Sequence, residues 1–265
     1  MRMLHEQDRE AILRYVRKEP EMNLFLIGDL ENFGVENETI NFYLHEERNR
    51  WDFLILRFNR FFILYSQYED YNAAEAAGFF RGREIDCISG KTVLLRKIAP
   101  AFPQWNLEFT DLSRCDRMKG STEQPEGLVI RRLEKEDVAE AIDLLTNIEE
   151  FAKTYKKEER MEKIREMEKE MAKGSKVSVG GFLDGHMVSV ASTSAENSES
   201  AMIVGVATAL GYRGKGYASG VVRTLCRDCF ERGKKYLCLF YSNPVAGKLY
   251  SGIGFEKLGS YGMLQ

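Results

Sequence analysis

The segment GYRGKGYASG, residues 211–220, sets Arg213 and Lys215 among glycines. The apolar run AMIVGVATAL (201–210) precedes it, and a helical pattern begins inside it. A glycine-rich turn between a strand and a helix is an anion site in chemical terms. The first N–H groups of a helix have no carbonyl partner, they point at one spot, and the helix dipole makes that spot positive. Arg213 and Lys215 either add charge to that spot or are simply solvated.

Two nucleotide chemistries fail at this turn. A nucleotide-triphosphate loop needs G-x-x-x-x-G-K-[ST]. Gly211 and Gly216 have that spacing, but Tyr217 and Ala218 stand where the Lys and Ser/Thr should be. Nothing is left to reach the outer phosphates or to hold magnesium. A dinucleotide fingerprint needs G-x-G-x-x-G/A, with an acid about 20 residues on for the ribose. Gly214 and Gly216 fit, but Ser219 takes the third place and the next strand ends in Phe240-Tyr241-Ser242. The upstream strands also read as a meander rather than a βαβ unit. A glycine turn without a ligand would leave two cations and a helix start together for no purpose. The pattern that remains is [Q/R]-x-x-G-x-[G/A], present as Arg213-Gly214-Lys215-Gly216-Tyr217-Ala218.

The cysteines and histidines point to no further chemistry. Cysteines at 87, 115, 226, 229 and 238 are odd in number and scattered, which is not a disulfide framework. A reducing cytoplasm is the expected setting. Cys226 and Cys229 lie at i and i+3 on the apolar face of a helical pattern, so packing is their expected role. His5, His45 and His186 complete no metal spacing with them, and no metal is expected.

Composition narrows the partners. A net charge of −3 provides no basic excess for nucleic acid. The longest apolar candidate, WDFLILRFNRFFILYSQY, is broken by Arg57, Asn59 and Arg60, so no membrane span is expected. The start, MRMLHEQDRE, lacks the apolar segment of a signal peptide. With 265 residues and 44% hydrophobic content, the chain can fill the core of one large domain or two ordinary ones.

The elements that must position the turn follow from periodicity. The chain divides near 115–127, where the polar stretch SRCDRMKGSTEQPEG (113–127) reads as a linker. The expected division is 1–122 and 123–265. After it, LVIRRL is a strand, and Val138, Ile142, Leu145 and Ile148 mark a helix. A second helix, about 158–172, carries Met161, Ile164, Met167 and Met171 on one stripe, either a packing seam or a flap over an acceptor pocket. KVSVGGFLDGHMVSVASTS splits into two strands at Asp184-Gly185 and joins the 199–209 strand in a meander. Helix 217–232, strand KYLCLFYS, short helix NPVAGKLYSGIG and closing strand FEKLGSYGMLQ complete this half. The first half repeats the order with helices at 6–18 and 21–33, strands TINFYLHEE, RWDFLILRF and RFFILYSQY, and helix NAAEAAGFF. It has no glycine-rich loop after its third strand.

The six-residue pattern resembles the pyrophosphate loop of the GCN5-related N-acetyltransferase (GNAT) superfamily. The wider segments IVGVATALGYRGKGYASGVV and NPVAGKLYSGIGF resemble its FR47-like branch. The resemblance covers about 128–265. It implies an α+β fold of tandem GNAT-like domains, each a mixed, mostly antiparallel sheet flanked by helices, with a degenerate first copy. It also implies acetyl-CoA, or another acyl-CoA, as co-substrate. Backbone N–H groups from Gly214 to Ser219 would meet the pyrophosphate, with Arg213, Lys215, Tyr217 and Ala218 in the same loop. Val206, Ala207 and Thr208 would lie beside the pantetheine and thioester. Asn243 would contact the pantetheine, and Tyr250, seven residues on, would protonate the departing thiolate.

The implied reaction is acetyl transfer to a primary amine of a small molecule or peptide, by direct attack in a ternary complex. A glycine N-acyltransferase-like activity is the enzymatic alternative, and a non-catalytic acyl-CoA sensor is the other. The strand 201–211 has no ionisable side chain to act as general base. Glu196, Glu199, Glu149 and Glu150 are the candidates, and each is equally read as a solvated surface acid.

Overall fold

The computed structural model describes residues 1–120, 125–152 and 154–265. The expected boundary at 122/123 lies outside these residues, as does part of the 115–127 linker. There are two compact units. One is Met1–Leu112 with Lys257–Gln265, and the other is Ser113–Glu256.

The first half of the chain runs β1 (Arg2–Met3), α1 (Arg9–Val16), α2 (Leu24–Phe33), β2 (Ile40–Glu47), β3 (Arg50–Phe58), β4 (Phe61–Tyr65), α3 (Ala73–Phe80), β5 (Cys87–Lys91), α4 (Thr92–Ile98) and β6 (Leu107–Cys115). The second half of the chain runs β7 (Val129–Arg132), α5 (Val138–Thr146), α6 (Arg160–Ala172), β8 (Ser178–Leu183), β9 (His186–Ser194), β10 (Ser200–Thr208), α7 (Tyr217–Glu231), β11 (Tyr236–Tyr241), α8 (Pro244–Ile253) and β12 (Glu256–Leu264). The two successions match element for element. Pairing matches too. β1 and β2 are antiparallel, as are β7 and β8. β4 and β5 are parallel, as are β10 and β11. The chain is thus a tandem α+β protein with a mixed sheet and flanking helices in each copy.

Each sheet is buried on both faces. In β3, Leu54 and Leu56 join α1 and α2, while Phe53 and Ile55 join α3 and α4. That two-sided burial is why RWDFLILRF has no apolar–polar alternation. In the second unit, α7 packs Val221, Val222, Leu225, Cys226 and Cys229 onto Val179, Ala191, Ile203 and Leu237. α5 and α6 cover the opposite face around Phe182 and Val190. Burial pushes the Cys229 thiol up to about 11 and raises Cys226 as well, so this pair is packing and not redox chemistry. The α6 stripe is a seam at Ile164 and Met167, but Met161 is 55% exposed and lies outside it.

The Asp184-Gly185 hairpin forms as expected. Both residues take left-handed backbone angles, φ 49 and 83, which match the twist of the flanking strands. The closing strand departs from expectation. β12 was expected in the second domain, but Lys257–Gln265 belongs to the first unit. There it pairs antiparallel with β5, from Tyr261↔Lys91 to Leu264↔Ile88, and buries Leu264 in that unit's core. Periodicity identifies a strand but not its partner. Among the described residues, no helix is long and apolar enough to cross a membrane.

Candidate functional site

The site begins where two parallel strands part. β10 and β11 stay in register from Ser200↔Tyr236 to Ile203↔Leu239. Beyond that point β10 continues to Thr208 and β11 to Tyr241. On its other edge β10 pairs with β9, with a register shift between Val204 and Ala207. Gly205, at φ 60, carries the bulge. Glycine takes that angle without strain, and a bulge leaves its extra residue out of the ladder. Backbone groups at Gly205 and Val206 are therefore available to an incoming chain.

A cavity of about 480 Å³ occupies the opening. Val206, Ala207 and Thr208 line it from β10, and Asn243 and Tyr250 line it from α8 and its cap. Arg213, Gly214, Gly216, Tyr217 and Ala218 line it from the loop. Two expected residues lie off its wall. Lys215 is exposed, with Nζ 5.5 Å from the centre of the Tyr212 ring, and Ser219 is half-buried in the first turn of α7. Sequence reasoning missed Phe151, Tyr212, Phe240, Tyr241 and Leu249, which also line the cavity. These are the residue types that fill cores, so no local signal marks them.

The loop is built to present N–H groups. Gly214 and Gly216 have φ 79 and 82, and Gly216 is the N-cap of α7 with no side-chain cap. The backbone bonds around the loop are Tyr212 N–H to Ala209, Arg213 N–H to Leu210 and Gly220 N–H to Gly216. The N–H groups from Gly214 to Ser219 have no acceptor among the described residues. Such a set of donors at a helix start suits a phosphate.

Asn243 caps α8, its Oδ1 accepting from Val245 N–H at 2.9 Å, and Pro244 occupies the first turn where no N–H is needed. Its Nδ2 has no partner among the described residues, and Asn243 lines the cavity. Tyr250 is 7% exposed, with its ring near Tyr241 and Phe255. Its hydroxyl has no protein partner among the described residues, and Tyr250 is one of the residues that line the cavity. Burial pushes the phenol up to about 12, which keeps it protonated at neutral pH. Thr208 shares its hydroxyl with Ser189 at 2.9 Å, and Ser189 also donates to Ala207 O at 2.8 Å, which fixes the end of β10.

The candidate bases separate. Glu196 accepts from Thr193 at 2.6 Å and from Arg232 at 3.0 Å and 3.2 Å. Burial opposes its charge, but Arg232 and Thr193 outweigh that and hold the carboxyl below its usual range. Glu199 is paired with Lys235. Neither lines the cavity, nor does Glu149. Glu150 does, but both its oxygens are engaged by Arg213 at 3.2 Å and 3.4 Å.

The matching place in the first copy is built differently. β4 and β5 pair from Phe61↔Cys87 to Leu64↔Gly90 and end at Tyr65 and Lys91, directly after the last pair, whereas β10 runs on from Ile203 to Thr208. Glu19 accepts from Tyr65 at 2.9 Å and is ion-paired with Lys91, at the ends of these strands. The N-terminus of α3 is served by its own neighbours. Asn72 Oδ1 accepts from Glu75 N–H at 3.1 Å, and Asp52 accepts the Asn72 N–H at 2.9 Å. The ligand atoms of His45, Glu47 and Asp52 lie within 4.8 Å of one another. They already have protein partners, since Asn72 donates to Glu47, and Arg50 and His45 contact Asp52. Carboxylates here repel an anion where the second copy has free N–H groups.

Comparison with known proteins bears on the fold and on part of the sequence. Residues 142–255 match the sequence model of the Acetyltransferase (GNAT) family. A GCN5-related N-acetyltransferase from Sphaerobacter thermophilus superposes with a TM-score of 0.67 at 15% identity, covering 99% of this chain and 93% of its own. A GCN5-related N-acetyltransferase-like protein from Streptococcus suis gives 0.62 at 16% identity, covering 98% of each chain. A tandem GNAT protein from the clavulanic acid biosynthesis pathway gives 0.60 at 11% identity, covering 99% of this chain and 96% of its own. No curated protein matches the sequence.

Proposed function

We propose that this chain, of which residues 142–255 match the GNAT acetyltransferase family, moves an acetyl group from acetyl-CoA to a primary amine of a small molecule or peptide. The observation that carries the reading is the meeting of three features at one cavity. These are the parted strands, the unpaired N–H groups of Gly214–Ser219 and the Tyr250 hydroxyl. The FR47-like branch and a glycine N-acyltransferase-like acceptor are finer versions of the same proposal.

Each group has a part. The loop N–H groups and the α7 dipole hold the pyrophosphate. Backbone groups of Val206, in the bulge of β10, bind the pantetheine as a neighbouring strand would, and an N–H there polarises the thioester carbonyl. Asn243 Nδ2 donates to the pantetheine. Acyl-CoA supplies an activated carbonyl: the amine nitrogen bonds to it as the C–S bond breaks. Tyr250 gives its proton to the departing thiolate, and the nitrogen loses its own to solvent or a base. A reducing cytoplasm is part of the proposal, supported by five buried cysteines, none in a disulfide among the described residues.

One observation favours a second reading. The cavity's carboxylate, Glu150, is held by Arg213, so no free base faces the thioester among the described residues. A non-catalytic acyl-CoA sensor would need none. The deciding experiment incubates the protein with acetyl-CoA and a panel of primary amines and follows free CoA thiol. Turnover with any amine supports the transferase. Tight acetyl-CoA binding with no turnover across the panel supports the sensor.

A further inference from the structure

Glu150 is better placed to fix the cavity than to take a proton from substrate. It lies in a single 3-10 turn, Glu149–Phe151, whose N-cap Ile148 contributes no side-chain cap. Such turns are weakly held by their own hydrogen bonds. Ile148, Glu150 and Phe151 nevertheless line the cavity. The brace is Arg213. Its Nη1 and Nη2 meet the two oxygens of Glu150 at 3.2 Å and 3.4 Å, and its Nε donates to Thr208 O at 3.1 Å. A planar guanidinium used at three donors fixes direction as well as distance. The turn, the end of β10 and the first residue of the pyrophosphate loop are thus tied at one side chain. The Glu150 backbone N–H and Arg213 hold the carboxyl below its usual range, which is wrong for a base working near neutral pH.

We propose that Glu150 is a positioning residue. Through Arg213 it locks the 148–151 turn to the pyrophosphate loop, so the wall facing the acyl group keeps its shape whether or not acyl-CoA is bound. This rests on the acyl-CoA reading of the cavity. It removes Glu150 from the candidate bases and makes it a determinant of acceptor fit.

The test has one arm that needs no substrate. Amide exchange at residues 148–152 is followed in the ligand-free wild type, Glu150→Gln, Arg213→Gln and the double variant. Each single change should speed exchange there by roughly two- to fivefold, the range for exposed ion pairs, and the double should add nothing. Unchanged exchange in the singles, or additive effects in the double, overturns the lock. In wild type with acetyl-CoA the protection should persist, and its loss on binding would mean that Arg213 abandons Glu150 for the phosphates. The kinetic arm uses any amine that turns over. Glu150→Gln should raise the acceptor KM by more than it lowers kcat. A fall in kcat of roughly 10²-fold or more with KM kept would make Glu150 the base after all. Failure of wild type to bind acetyl-CoA would remove the function proposed above, while the ligand-free exchange would still decide the lock.

Discussion

Gly216→Val separates what the fold needs at the loop from what the ligand needs. Gly216 sits at φ 82 and ψ 0, a left-handed conformation. A side chain there costs about 1–2 kcal/mol, and a β-branched one more. Space is not the obstacle, because a Cβ at Gly216 would meet only Pro125 Cγ, at an ordinary 3.7 Å. A domain of this size should lose roughly 2–8 °C in Tm for that strain and remain folded. Binding should suffer far more. The branched side chain stands where a pyrophosphate must approach, and relief of the strain would turn the loop N–H groups away from their common focus. Losing two hydrogen bonds to charged oxygen costs about 3–6 kcal/mol, or roughly 10²- to 10⁴-fold in Kd. Calorimetry with acetyl-CoA on the folded variant is the assay. Gly211→Ala is the control, since a Cβ there meets nothing within 4 Å and its φ is not positive. Wild-type affinity in a folded Gly216→Val protein would refute the pyrophosphate assignment.

Tyr250→Phe keeps the ring in its core and removes only a hydroxyl with no protein partner among the described residues. Acetyl-CoA affinity should stay within a few-fold while turnover falls roughly 10²-fold, the low end for a positioned acid; equal turnover returns Tyr250 to packing. The wild-type rate should show no alkaline limb from this phenol up to pH 10, because its pKa is pushed up to about 12. Tyr15 is also pushed up to about 12 by burial. Both groups bind their protons more tightly folded than unfolded, so their contribution is complete below about pH 10 and is lost as pH rises toward 12. Denaturant titrations should find stability falling over that window, with a share of about 1–3 kcal/mol absent in Tyr250→Phe; a flat profile contradicts the burial argument. Native mass spectrometry should find one acetyl-CoA per chain, since β4 and β5 end directly after their last pair and Asp52 and Asn72 serve the α3 terminus. Two per chain would show that the first copy retains a site.

Much of the site was legible because its requirements are local. A helix N-terminus creates unpaired N–H groups wherever it occurs, and glycines at 214 and 216 allow the angles that aim them. The pattern of Asn243, Pro244 and Tyr250 is likewise carried by one short helix. The aromatic wall was not legible. Phe151, Tyr241 and Leu249 face a cavity only because strands 200–208 and 236–241 part after four residue pairs, and nothing in either strand's own pattern says so. The pairing of Glu150 with Arg213 spans 63 positions and has no signature in spacing.

The sequence by itself determined the element order, the repeated plan and the glycine loop at the start of a helix. These follow from periodicity, caps and backbone angles, which are properties of neighbouring residues. Tertiary structure decided which strand pairs with which, and so sent Lys257–Gln265 to the first unit. It also decided which acids are free. Glu196, Glu199 and Glu150 look alike as surface acids in the sequence, yet Arg232, Lys235 and Arg213 claim them in turn. A carboxylate's chemistry depends on the charges and donors within a few ångströms of it, and those come from distant parts of the chain.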